Sequence, residues 1–91
     1  MYRKGDVRMK SVLLTVRSVT YAQQMKNLIE KNGIAANIVR PDIRITKGNC
    51  AYAVNVSQVF LAEVIEILKR YRLLPVRVVL TDGIKHREIA I

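Results

Sequence analysis

Apolar residues recur along this chain with two different periods, and the switches between them mark out its elements. Lys10 to Arg17, KSVLLTVR, is a run of branched aliphatic residues between cations, the pattern of a strand buried on at least one face. From Tyr21 the period lengthens: Tyr21, Met25, Leu28 and Ile29 recur at helical spacing. Ser18 or Thr20 supplies the cap of that helix, Thr20 with Gln23 has capping-box spacing, and Asn32-Gly33 provides a left-handed stop. Ile34 to Arg40 reads as a second strand ended by Pro41, which has no amide to donate. Pro41 to Asn49 contains Asp42, Arg44, Lys47 and Gly48 and reads as a connecting loop, with strand pairing around Ile43 to Thr46 as an option. Cys50 to Val56 alternates, with Cys50, Tyr52, Val54 and Val56 on one side and Ala51, Ala53 and Asn55 on the other. Ser57 caps a second helix with Leu61, Val64, Ile65 and Leu68 as its buried stripe. Pro75 precedes a fourth strand, Val76 to Thr81, and Asp82-Gly83 makes a turn.

The element order is therefore β-α-β-β-α-β. It predicts an α+β fold of the ferredoxin-like, split β-α-β kind: a four-stranded antiparallel sheet with two helices on one face. Because a helical crossover between parallel strands is right-handed, the first two strands run parallel with the third antiparallel between them. The first strand then ends where the third begins. The 91 residues suit one domain. Its core spans about 10–81, after a basic arm at 1–9, and Ile84 to Ile91 reads as either a tail or a short edge strand.

Composition narrows the chemistry. No stretch has the roughly 20 apolar residues that a bilayer span needs, and Val12 to Val16 is too brief for a signal peptide, so the cytoplasm is the expected location. One cysteine, Cys50, and one histidine, His86, can form neither an internal disulfide nor a thiolate zinc cage, so no metal is expected. Gly33, Gly48 and Gly83 are single turn glycines without a phosphate-binding loop, and no cofactor is expected. The net charge of +9 gathers in Arg3, Lys4, Arg8 and Lys10, in Lys69, Arg70 and Arg72, and in Lys85 and Arg87. Such an excess attracts nucleic acid, an anionic substrate or an acidic protein, or serves solubility alone.

The predicted topology gives the lone cysteine a particular setting. The end of the first strand, Arg17-Ser18, the start of the first helix and the start of the third strand share one rim. Cys50, on the helix-facing side, would bring its sulfur near free backbone amides and the positive end of a helix dipole, with Arg17, Arg44 or Lys47 adding to the field. A free thiol titrates near pH ~8.5, and this setting lowers that value and raises the thiolate fraction. The alternative is that Cys50 packs as a small apolar residue.

Other chemistries are less well supplied. Glu30, Glu63 and Glu66 are scattered over helix surfaces rather than convergent, and His86 lies in a tail remote in sequence from Cys50. A basic ferredoxin-like sheet can stack RNA bases on aromatic side chains, but its outward positions here, Leu13, Thr15, Arg17, Ala51, Ala53, Arg77 and Val79, carry none. Phosphates could still be held without sequence preference, which keeps nucleic acid as a lesser candidate partner. The same half-apolar face invites burial against a second copy, a homodimer.

Three features bring a family into view: Arg17-Ser18 ending a strand before a helix containing Ala22; Gly33-Ile34 and Ala36 after the helix stop; and Gly48-Asn49-Cys50 closing a loop. Over Ser11 to Val79 the chain resembles the small selenium/sulfur carrier protein-like family, first catalogued as a domain of unknown function. Members have Cys-Gly where this chain has Cys50-Ala51, and alanine restricts the backbone more than glycine does. The resemblance implies a thiol carrier rather than a stand-alone enzyme. Cys50 would take sulfur or selenium from a donor such as a cysteine desulfurase, hold it as a persulfide or selenosulfide, and pass it to an acceptor protein. Arg17, Ser18, Thr20 and Gly48 would stabilise the anion, and Arg44 and Lys47 would meet an acidic partner. The competing reading is a basic binding module for RNA or an acidic protein, with Cys50 as packing.

Overall fold

In a computed structural model, which describes residues 11–41, 52–82 and 86–89, strand β1 (Ser11–Val16) leads through Arg17 and Ser18 into helix α1 (Val19–Lys31). Ser18 is extended, at φ −135° and ψ 154°, and its Oγ accepts from the Tyr21 amide at 3.1 Å. Of the two hydroxyls the sequence offers, the cap is thus Ser18. Thr20 falls inside the first turn, so the box expected from Thr20 and Gln23 does not form.

Strand β2 (Asn37–Val39) is shorter than the sequence suggests, because Ile34 and Ala36 turn into the core before pairing begins. Strand β3 (Tyr52–Ser57) is followed by a 3-10 turn, Gln58–Phe60, and it is this turn that Ser57 caps, accepting from the Val59 amide at 3.4 Å. Helix α2 (Leu61–Arg70) starts only after it. Strands β4 (Arg77–Thr81) and β5 (His86–Ile89) complete the sheet.

The sheet order is β2-β3-β1-β4-β5, with antiparallel pairing throughout. β1 and β2 run parallel with β3 between them, as the crossover rule requires, and Val16 lies opposite Tyr52. The expected four-stranded sheet is corrected to five strands, since β5 pairs with β4 through Val79 and Glu88. His86, Arg87 and Glu88 are exposed and only Ile89 packs on the core, which is how an edge strand keeps its charges in water.

The core lies on the helix-facing side. Val12, Leu14, Val16, Val54, Val56 and Val78 meet Ala22, Met25 and Ile29 of α1 and Val64, Ile67 and Leu68 of α2. Each fully buried side chain of this size contributes about 1.5–3 kcal/mol. On α2 the inner position expected for Ile65 is taken by Ile67, and Ile65 is only half-buried.

On the opposite face Leu13, Ala53 and Val79 form a second small cluster with Val39. Leu13 is only 7% exposed, and Ala53 and Thr15 are fully covered within the single chain. Among the described residues, Leu13, Ala53 and Val79 on this face are thus buried within the single chain.

Both helices end in the same hydrogen-bonded geometry. In α1, Gly33 donates to Glu30 O at 2.9 Å and Ile34 to Ile29 O at 3.3 Å. In α2, Arg72 donates to Lys69 O at 3.2 Å and Leu73 to Leu68 O at 2.9 Å. The pivotal residue is left-handed in each, with φ 84° at Gly33 and φ 56° at Arg72. For an arginine that conformation costs about 1–2 kcal/mol.

Candidate functional site

The candidate site is the rim where β1 ends. Four features follow from the register. α1 begins there; β3 begins there, because Tyr52 pairs with Val16; β4 begins there, because Arg77 pairs with Thr15; and β2 ends there, because Val39 pairs with Ala53. β3 runs antiparallel to β1, so α2, which follows β3 and turns back, returns its C-terminal end to the same rim.

The segment after α2 is fastened to β1. The Val76 amide donates to Thr15 O at 2.8 Å, and the Arg77 amide donates to Thr15 Oγ1 at 3.0 Å. Tyr21 reaches across from α1, its hydroxyl donating to Leu74 O at 2.8 Å. These bonds frame a cavity of about 250 Å³ lined by Val16, Arg17, Tyr21, Leu74, Pro75 and Val76. Its walls are mostly hydrocarbon, with the Arg17 side chain supplying a cation.

Of the residues singled out from sequence, Arg17, Ser18 and Thr20 come together here. Arg17 is exposed and lines the cavity; Ser18 has its oxygen engaged in the helix cap; Thr20 is exposed in the first turn. The cap leaves the Val19 and Thr20 amides without an intrahelical acceptor, and they carry the positive end of the helix dipole. Cys50, Arg44, Lys47 and Gly48 lie outside the described residues. His86 is at the other end of the sheet, paired with Thr81, its Nδ1 2.9 Å from Thr81 Oγ1.

Sequence reasoning missed several participants. Tyr21 counted only as part of a helical stripe, and Leu74 to Val76 only as the approach to a strand. Their signal was the run Leu73-Leu74-Pro75-Val76, apolar residues beyond the end of the helical period with no element to bury them. Arg40 was also missed. It follows β2 and holds its guanidinium over the Tyr52 ring, 5.4 Å from the centroid, which adds a cation to the rim and covers that ring.

Among the described residues no three His, Cys, Asp or Glu side chains converge as a metal site would require, and no helix is long and apolar enough to cross a membrane. No family model matches the chain, and neither does any curated protein or solved structure.

Proposed function

We propose that this chain is a ferredoxin-like domain that carries sulfur or selenium on Cys50, receiving it from a donor such as a cysteine desulfurase and delivering it to an acceptor protein. One observation carries the reading: Tyr52, two positions after Cys50 in the chain, pairs with Val16, beside Arg17, Ser18 and the start of α1. The end of the sheet at which Tyr52 opens β3 has positive potential, from the first-turn amides of α1 and the nearby Arg17.

The chemistry is an exchange without net oxidation. The Cys50 thiolate attacks the outer, sulfane sulfur of a donor persulfide. A sulfur-sulfur bond forms on Cys50 as the donor's breaks, and the electron pair leaves on the donor thiolate. An acceptor nucleophile reverses the sequence, taking the outer sulfur and regenerating the Cys50 thiolate. The same atoms balance with selenium in the transferred position.

The test is the pH dependence of iodoacetamide alkylation at Cys50, the chain's one cysteine. The rate reaches half its plateau below pH ~8.5, the value for an unperturbed thiol. A profile that superimposes on that of glutathione would remove the chemical basis of the proposal.

A further inference from the structure

The rim carries two kinds of exposed group, and together they describe a partner. The first is positive charge. Arg17 follows β1, Arg40 follows β2, Lys69 and Arg70 occupy the last turn of α2, and Arg72 follows its cap. Three of the five described carboxylates are placed elsewhere. Glu30 ends α1, Glu63 opens α2 and Asp82 follows β4, all at the other end of the molecule. The other two lie nearer: Glu88 stands 4.0 Å from Arg77, which opens β4 at this rim, and Glu66 lies one turn before Lys69 and Arg70, so cations still outnumber carboxylates there among the described residues. Lys69 and Arg70 also complement the C-terminal dipole of α2, and Arg40 also covers the Tyr52 ring, whereas Arg17 is exposed and lies at no helix C-terminus.

The second kind is hydrocarbon. Val19 is 47% exposed, Leu74 and Val76 are each 45% exposed, and Tyr71 is exposed beside them. Leu74 and Val76 are also walls of the 250 Å³ cavity, so the surface is both apolar and indented.

Arg72 adds an independent observation. Its left-handed backbone is one that glycine adopts freely, and glycine holds the equivalent place in α1. The chain keeps a guanidinium at the rim where a neutral, unstrained residue would fit the fold better.

Nucleic acid would use the cations but not the rest. A phosphodiester backbone does not desolvate valine and leucine, and stacking needs free aromatic faces. Tyr21 is tied to Leu74, Tyr52 lies beneath Arg40, and Tyr71 is the one exposed tyrosine among the described residues. An apolar side chain flanked by carboxylates uses both kinds of group at once.

We infer that this rim docks an acidic protein segment, which inserts one apolar side chain into the cavity and sets its carboxylates against Arg17, Arg40 and Arg72. The docking does not depend on the chemistry of Cys50.

The experiment is an NMR titration of the isotope-labelled full chain with a synthetic peptide in which glutamates flank one leucine. The same peptide with serine for leucine, and an oligouridylate, serve as comparison probes. The leucine peptide shifts the amides of Arg17, Val19, Tyr21, Leu74 and Val76, and serine in place of leucine weakens binding about tenfold or more. Arg72→Gly weakens it about twofold to fivefold without loss of folding, since glycine suits that backbone. Cys50→Ser leaves it unchanged, so a failed carrier chemistry and a failed docking surface give different results. Equal affinity for the two peptides, tighter binding of the oligouridylate, shifts centred on Gly33 and Glu63, or no saturable binding would each overturn the inference.

Discussion

The two helices stop with the same backbone and different residues. α1 closes through Asn32 and Gly33, α2 through Tyr71 and Arg72, with matching pairs of reverse hydrogen bonds and a left-handed residue at the same place. In each, the residue after the pivot turns inward beside a fully buried one: Ile34 beside Ile29, and Leu73 beside Leu68. The geometry is therefore fixed by packing of the following apolar residue and does not require glycine. What differs is location. The α1 stop lies away from the rim, and there the unstrained residue occupies the pivot. The α2 stop lies on the cationic rim beside the cavity, and there an arginine is held at a conformational cost.

That comparison can be tested at three magnitudes. Leu68→Ala and Ile29→Ala each remove a fully buried side chain one step from a helix stop, and each lowers unfolding free energy by about 2–5 kcal/mol in urea titration. If one were near neutral, the two stops would not share the same anchoring. The pivots themselves come next. Gly33→Arg destabilises by about 1 kcal/mol, Arg72→Gly stabilises by a similar amount, and the double variant returns close to the starting stability. No atom lies within 4 Å of a Cβ built on Gly33, so the loss there comes from backbone conformation and not from a clash. A destabilised Arg72→Gly would mean that the arginine side chain serves the fold rather than the surface. The smallest change concerns the other end of α1: Ser18→Ala removes the cap on Tyr21 and costs about 1 kcal/mol or less. Thermal melts would detect it as a fall of a few degrees, and an unchanged midpoint would show that water replaces the hydroxyl there.

Periodicity alone was enough to locate both helices, the four longer-range strands and the parallel relation of β1 and β2, because each buries one face with a clear repeat. It failed where burial is not periodic. β5 buries only Ile89, so the sequence left the segment open between a tail and a short edge strand. The shielding of Leu13 and Ala53 on the second face depends on neighbours distant in sequence, and alternation reports only which side a residue is on. At the rim, Arg17, Ser18 and Thr20 were legible as the junction of a strand and a helix. The cavity was not, since Tyr21 and Leu74 meet across 53 positions of chain and neither breaks the local pattern. Cys50 and the basic loop before it lie outside the described residues, so the thiol's role rests on the register of its neighbours.

The carrier reading stands or falls on whether that thiol accepts a chalcogen atom. The direct measurement is the intact mass of the protein after incubation with a cysteine desulfurase and free cysteine, beside the Cys50→Ser variant. The account predicts a mass gain of one sulfur atom, removed by reductant and absent from the variant. An unaltered mass under conditions in which the desulfurase turns over, or the same gain on the variant, would contradict it.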